Sequence, residues 1–477
     1  MRDGNRVMIV VLDGLRGDLI GSGVTPNLDA FLSTATHFRK ARAVFPTSTR
    51  VNAAALSTGA MPAQTGLMSN RLLAPEIEPA RPLNTGDPED LRRIEAARGG
   101  RLLDTETLAE RAARAGRRVA VVSSASGGTT RLLHPRAAAF GHVRLTLRDW
   151  KETAPAGLAA ELEERFGSVP AAARPNTGRL RRQTDIWLDA VAATEPHLAI
   201  LWYGEPDWTL HQDGLAGPRS RAAIRAVDAE LGRLLDWQAD RDRDERWTVI
   251  VASDHGHVAV SEKVDARENL RGAGFPTGFG GILSSFGRYG ALALPAERRD
   301  LLAPLAEFLA AAPWVAAAFA RDAAGPLPGT LPMSLIGCDG PRAPDLMIAL
   351  HGIRDAWTAG GLSGQGLMDS DTVPVGGSAH GGLLPEELAT VLAASGPGFD
   401  RGRTSDAPAG VTDIAATAAA LLGLARPASE RGLLGDLRPH SVQVENHAVP
   451  GRPGRRLRMR RYGAQVYVDG IYEAGEE

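Results

Sequence analysis

Short apolar runs recur along the chain, joined by stretches with helical spacing. Val7-Met-Ile-Val-Val-Leu12 is the first. Arg118-Val-Ala-Val-Val-Ser123 follows an amphipathic segment from Thr105 to Gly116, where the glycine acts as a helix stop. Leu198-Ala-Ile-Leu-Trp-Tyr203 follows helical patterning over Arg179 to Thr194. Trp247-Thr-Val-Ile-Val-Ala-Ser253 follows a longer helix from about Arg219 to Asp240. Runs this short and uniformly apolar read as strands buried on both faces. Their alternation with helices predicts an α/β fold with a mainly parallel central sheet flanked by helices. In such sheets a ligand site lies at the carboxyl ends of the strands.

Other regions break the alternation. Residues 71–100 are rich in Pro, Gly and charge and read as an excursion. Residues 261–375 read as a cap inserted over the site, with an Ala-rich helix near 301–320. Residues 1–260 and 376–439 would then form the catalytic core. Val411 to Leu424 reads as an amphipathic helix with Thr412 or Asp413 near its start. The basic tail, 440–477, ends in Val466-Tyr-Val-Asp-Gly-Ile-Tyr472, where Asp469-Gly470 has the composition of a two-residue hairpin turn. The tail would pack on the core or on a partner chain, so a homo-oligomer stays open.

Composition narrows the function classes. A net charge of -2 with 23% charged residues argues against binding a nucleic-acid polymer or a membrane surface through bulk charge. Cys338 is the sole cysteine, so no intramolecular disulfide can form. The apolar run from Val7 to Leu12 is too short for a signal-peptide core, and nothing approaches the roughly 18 apolar residues of a membrane span. The expectation is a soluble, cytoplasmic protein.

The polar residues after the strands carry the chemistry. Asp13 follows the first run, Asp207 and His211 the Tyr203 run, and Asp254-His255 the Ser253 run. Carboxylate with imidazole suits a borderline divalent ion such as zinc. Asp207 and His211 are four apart, which puts both on one face of a helical turn. His380 lies among glycines in Gly376-Gly-Ser-Ala-His-Gly-Gly382, where a loop can approach a ligand closely. In Val44-Phe-Pro-Thr-Ser-Thr49, Pro46 with Thr47 or Ser48 reads as a helix entrance and Gly59 as its end. Thr49 would then sit at a helix N-terminus, which favours an anion, and a metal beside it would make its hydroxyl a nucleophile. Each piece alone has a bland reading: a surface hydrogen bond, a solvated loop histidine, a helix cap. Their shared sheet edge argues against so many accidents.

As a set these motifs resemble the alkaline phosphatase superfamily, and within it the nucleotide pyrophosphatase/phosphodiesterase branch, which includes phosphonoacetate hydrolase-like enzymes. The resemblance covers roughly 5–260 and 375–425. It rests on Asp13-Gly14, Thr25-Pro-Asn27, Phe45-Pro-Thr-Ser-Thr49 through Asn52 and Thr58-Gly59, Pro206-Asp-Trp-Thr-Leu-His211, Asp254-His-Gly256 and His380-Gly-Gly382. It implies two divalent metal ions, zinc first, with manganese or iron admissible. Asp13, Thr49, Asp254 and His255 would surround one ion, and Asp207, His211 and His380 would hold the other. It implies a phospho-threonine at Thr49 and an Asn70 that hydrogen-bonds a phosphoryl oxygen, although Thr65-Gly-Leu67 departs from the family's His-Gly-Ile.

The substrate expected is a small phosphorylated or phosphonate compound, with a phosphodiester or nucleotide pyrophosphate first. A phosphonate C–P hydrolase or a phosphomonoesterase is the alternative, and a metal-binding module without catalysis would require lost ligands. Arg50 stands where nucleotide-cleaving members often carry an aromatic, and its guanidinium could pair with a second anionic group. Trp202 or Tyr203 would stack on a base or aryl leaving group. Phosphonoacetate hydrolase carries lysines in a loop where this chain has Ser123 to Arg131 and only Arg131 as a cation. His257, in Asp-His-Gly-His, stays unassigned.

Overall fold

The computed structural model describes residues 5–21, 23–241, 246–358, 361–425, 441–462 and 465–475. Among these, eight strands form the central sheet. In spatial order they are Thr404–Gly410, Thr36–Arg42, Leu392–Ser395, Arg246–Ala252, Asn5–Leu12, Leu198–Tyr203, Val119–Ser123 and Val143–Thr146. All neighbours run parallel except Leu392–Ser395, which is antiparallel to both of its own. The sheet is mainly parallel, as the alternation predicted.

Val7, Ile9 and Val11 of the central strand face one hydrophobic layer, which contains the helices Thr49–Thr58, Leu108–Arg114 and Thr412–Leu421. Met8, Val10 and Leu12 face the other, with Pro26–Thr34, Thr177–Ile186 and Pro218–Arg241. Truncating a fully buried residue such as Ile9 to alanine would therefore cost about 2–5 kcal/mol. Register sets the site. Leu12 pairs with Tyr203 and Val11 with Ala252, so these strands end level and release their following residues at one edge.

Several expectations need correction. The 301–320 stretch is helical only over Leu302–Ala311; Val315–Ala320 is a strand. Pro313 cannot donate within a helix, and the run beyond it pairs with Leu346–Leu350. That pair belongs to a five-stranded sheet ordered Leu283–Phe286, Tyr289–Ala293, Leu346–Leu350, Val315–Ala320, Thr330–Pro332. A smaller sheet joins Val258–Lys263 to Gly352–Trp357, Ser363–Met368 and Ser378–Ala379. The 71–100 excursion contains the helix Pro88–Ala97, whose first turn is capped by Asp87 accepting from the Glu89 N–H.

The tail forms a three-stranded antiparallel sheet, Val442–Ala448, Arg456–Tyr462 and Gln465–Tyr472. Asp469-Gly470 is no turn. Arg458 pairs with Gly470 and Met459 with Val468, so Asp469 is the extra residue of a β-bulge, and Gly470 has φ 137°. Residues 463–464 and 426–440 lie outside the described residues. The tail packs on the core: Ile471 N–H donates to the Leu383 carbonyl at 2.9 Å, and Tyr467 OH to Asp413 Oδ2 at 2.9 Å.

Candidate active site

Ser48 precedes the helix Thr49–Thr58, and Gly59 ends it at φ 75°. Thr49 thus occupies the first helical position, as expected, and is 6% exposed. Asn52 fixes the loop before it: Oδ1 accepts the Val44 N–H at 2.8 Å, and Nδ2 reaches the Pro46 and Ser48 carbonyls at 3.2 Å. Thr47 ties this loop to the one carrying His380. Gly381 N–H donates to Thr47 Oγ1 at 2.8 Å, Thr47 Oγ1–H to the Gly382 carbonyl at 3.0 Å, and His380 Nδ1–H to the Thr47 carbonyl at 2.7 Å.

One cluster joins Asp13, Asp254, His255 and Thr49. His255 Nε2 lies 3.2 Å from Thr49 Oγ1, 3.2 Å from Asp254 Oδ2 and 3.7 Å from Asp13 Oδ1. His255 Nδ1–H donates to the Gly256 carbonyl, so Nε2 presents its lone pair to the cluster. Trp202 Nε1–H binds Asp13 Oδ2 at 2.8 Å and Gly14 N–H binds Asp254 Oδ1 at 3.0 Å. The other oxygens, Asp13 Oδ1 and Asp254 Oδ2, are buried with no hydrogen-bond partner. Burial raises both carboxyls well above the ordinary carboxylate range; Asp254 adds to this for Asp13, and Asp207 does so for both.

The second cluster centres on Asp207 Oδ1. His211 Nε2 and His380 Nε2 each lie 3.3 Å from it and 3.3 Å from each other. His257 Nε2 lies 3.0 Å away. Each ring is held from behind. His211 Nδ1–H donates to the Ser378 carbonyl at 2.8 Å. Ser378 Oγ spends its proton on the Leu210 carbonyl at 2.8 Å, so His257 Nδ1–H must donate to Ser378 Oγ at 3.1 Å. These bonds leave bare Nε2 lone pairs facing a carboxylate oxygen, which a cation must reconcile. Without a metal, a proton does so in part. Burial alone would raise Asp207 and lower His211, but their attraction outweighs it, so Asp207 falls well below its ordinary value and His211 rises. Burial carries His257 down to about 3.

Both clusters fit divalent ions. A tetrahedral site with bonds of about 2.0–2.1 Å has ligand-to-ligand edges of about 3.3 Å. Donors spaced 3.2–3.7 Å in one cluster and 3.3 Å in the other match that size. The structure brings together Asp13, Thr49, Asp207, His211, Asp254, His255 and His380, and adds His257, which the sequence did not assign. Its signal was present two residues after His255, but a histidine at that spacing from another carries no direction.

Asn70 stands beside Thr49. Its Oδ1 accepts the Arg50 backbone N–H at 3.1 Å, which turns its NH2 group the other way as a donor. Tyr289, from the five-stranded sheet, holds Asn70 N–H at 3.0 Å and Ser69 Oγ at 2.7 Å through its hydroxyl. The stacking role expected of Trp202 and Tyr203 is wrong. Both are fully buried, with the indole N–H on Asp13 and the phenol on Thr184. Trp208, next to Asp207 in the chain, is half-buried under the Arg148 guanidinium at 4.4 Å. Arg131 is locked to Glu95 and Glu152 at 2.6 and 3.2 Å.

A mainly parallel α/β sheet with two carboxylate–imidazole clusters at its carboxyl edge defines an alkaline-phosphatase-type protein. The description "Type I phosphodiesterase / nucleotide pyrophosphatase" matches residues 7–349, and the chain belongs to that family. It is 36% identical over 66 residues to human ectonucleotide pyrophosphatase/phosphodiesterase family member 7, covering 14% of each chain. It is 23% identical over 259 residues to venom phosphodiesterase 2 of Crotalus adamanteus, covering 54% of this chain and 27% of that one. The matched segments thus span about a quarter or less of these relatives. The structure of murine ectonucleotide pyrophosphatase/phosphodiesterase 5 superposes with TM-score 0.62 at 17% identity, over 90% of this chain and 98% of that one. An inactive variant of that murine protein has been solved with AMP.

Proposed function

We propose that the protein is a two-metal phosphodiesterase or nucleotide pyrophosphatase that works through a phospho-threonine at Thr49. The observation that carries this reading is Thr49 Oγ1, 3.2 Å from His255 Nε2 at a buried helix N-terminus, beside unpaired oxygens of Asp13 and Asp254. Asp13, Asp254, His255 and Thr49 would hold one divalent ion and Asp207, His211 and His380 the other, with zinc favoured by the donor set. When bound, the ions supply an acidified Thr49 hydroxyl and neutralise phosphoryl charge.

The chain's own residues do the rest. Thr49 Oγ attacks phosphorus and the ester's alcohol or phosphate leaves. First-turn N–H groups other than that of Arg50, which Asn70 Oδ1 takes, and the Asn70 amide donate to charge that develops on the phosphoryl oxygens. Water then attacks the phospho-threonine and Thr49 departs. The fixed Thr47–His380 contacts keep nucleophile and ligands in one frame. A nucleotide ester is the substrate class that the family and the AMP-bound murine neighbour support. A phosphomonoesterase is the second reading, favoured by the cationic Arg50 beside the nucleophile.

Thr49→Ala should abolish turnover of bis-p-nitrophenyl phosphate while keeping about two metal equivalents per chain. Full activity in that variant would reject Thr49 as nucleophile. Faster hydrolysis of p-nitrophenyl phosphate than of the diester by the parent would favour the second reading.

A further inference from the structure

We propose that His257 is a ligand of the second ion, which Asp207, His211, His257 and His380 together enclose. The inference rests on the two-metal reading of the site and adds a fourth protein donor to one ion.

The fold delivers this histidine beside another. Val258–Lys263 and Ser378–Ala379 pair antiparallel, with Val258 opposite Ala379. The next residues outward on the two strands are His257 and His380, which leave the same end of the pair side by side. Arg16 pins the backbone there, its Nη1–H donating to the His257 carbonyl at 2.8 Å. The ring is fully buried. Its tip fills the space beside Gly14, where a Cβ would stand 2.5 Å from His257 Nε2 and 3.0 Å from Asp207 Cβ.

Three rings form one set. The centroids of His211 and His257 lie 5.2 Å apart, and His380 lies 5.0 Å from each. The Nε2 atoms of His211, His257 and His380 converge on Asp207 Oδ1, at 3.3, 3.0 and 3.3 Å. Three nitrogens about one oxygen at these spacings suit the corners of a tetrahedron around an ion with bonds of about 2.0–2.1 Å. A supporting role, with His257 donating Nε2–H to Asp207, needs the other tautomer. Ser378 opposes that tautomer: its Oγ–H goes to the Leu210 carbonyl at 2.8 Å, and its Oγ accepts His257 Nδ1–H at 3.1 Å. The same serine aims His211, whose Nδ1–H its carbonyl accepts at 2.8 Å. An imidazole held by a hydrogen bond at one nitrogen, with a lone pair free at the other, is the form that ligates metal. Four protein donors fill a tetrahedral zinc ion, whereas catalytic zinc usually keeps one position open. A phosphoryl oxygen would then reach this ion only as a fifth donor.

Diffraction at the zinc absorption edge from the zinc-loaded full chain locates the ion directly. His257 Nε2 should lie about 2.0–2.1 Å from zinc in the second cluster. Chelator competition on His257→Gln and His257→Ala gives a second readout that does not depend on activity. Gln keeps an amide N–H that can donate to Asp207, so a supporting role would be rescued by Gln and lost in Ala. With a ligand removed, both variants should instead hold one of the two zinc equivalents about a hundredfold more weakly than the parent, or worse. Zinc seated in the second cluster with His257 Nε2 still on Asp207 would overturn the inference and leave the two-metal reading standing, as would a Gln variant of parental affinity. A second cluster left empty in excess zinc would overturn both. The functional reading fails separately, on absent turnover of bis-p-nitrophenyl phosphate with both ions seated, and the His257 distance is read regardless.

Discussion

Trp202 donates its indole N–H to Asp13 Oδ2 at 2.8 Å from the neighbouring strand of the central sheet. Burial drives the Asp13 carboxyl toward its neutral form, and the indole is what opposes it most. Leu12 and Tyr203 pair in register, so the sheet itself holds Trp202 one step back from that pair and beside Asp13. Trp202→Phe keeps the apolar bulk and removes the donor. Metal affinity should fall about tenfold or more, as for other residues that orient a ligand. Chelator competition followed by metal analysis reads this, and an unchanged affinity would show the indole to be packing only.

Tyr289 reaches the site from the five-stranded sheet and fixes Asn70 through its backbone N–H at 3.0 Å. Tyr289→Phe keeps the edge contact with Phe45, whose ring centroid lies 6.2 Å away. It leaves Asn70 N–H without a partner and Ser69 Oγ with the Arg71 N–H alone, at about 1–2 kcal/mol of stability. Asn70 would lose its aim, so kcat/KM for a phosphodiester should drop about tenfold. Steady-state kinetics beside a urea unfolding curve separates the two effects. A stability loss with unchanged kcat/KM would remove Asn70 from the chemistry.

The residues that strand ends present were legible in the sequence, and the residues that hold them were not. Asp13, Asp207, Asp254 and His255 follow apolar runs whose meaning is local, and the parallel-sheet rule puts them at one edge. The strands Thr36–Arg42, Leu392–Ser395 and Thr404–Gly410 were missed because Lys, Arg and Asp interrupt two of them and the third has four residues. Tyr289 and Ser378 act across more than 100 positions of sequence, so no spacing announces them. Trp202 was misread because an aromatic near a site looks the same in sequence whether it faces substrate or supports a ligand. Asp469-Gly470 has turn composition, yet glycine at positive φ serves a bulge equally well.

Arg288 and Glu387 form a fully buried ion pair, Nη2 to Oε2 at 2.9 Å, between the turn joining Leu283–Phe286 to Tyr289–Ala293 and the short helix Pro385–Leu388 that follows His380. Glu387 Oε1 also accepts the Gly382 N–H at 2.8 Å, and Arg288 donates to the His351 carbonyl at 3.0 Å. Glu387→Ala would leave a guanidinium buried without its counter-ion and should cost about 3–5 kcal/mol. His380 should lose its position with it, dropping bound metal toward one per chain. Replacing both partners, Arg288→Met with Glu387→Leu, should recover much of the stability but not the metal. If the double variant also keeps both metals, the pair does not position His380.

Asp469 sits in the tail's bulge between Arg42 Nε at 2.9 Å and Arg460 Nη2 at 2.8 Å. Burial alone would raise its carboxyl, but the Arg42 and Arg460 charges and bonds outweigh it and hold the group at about 2, against 3.8 ordinarily. The unfolded chain therefore takes up this proton first as pH falls. The ionised form stabilises the fold fully above the ordinary value, and that contribution is lost as pH drops through about 2. At about 1.4 kcal/mol per unit, the contribution is about 2 kcal/mol. Asp469→Asn should be less stable than the parent by roughly that amount at neutral pH. The gap should close between about pH 4 and pH 2 in urea melts of metal-free protein. Asp13, Asp207 and Asp254 titrate alike in both proteins, so the difference isolates Asp469. A gap that stays constant down to pH 2 would show that the bulge is held by packing and that the two arginines contribute no net charge stabilisation.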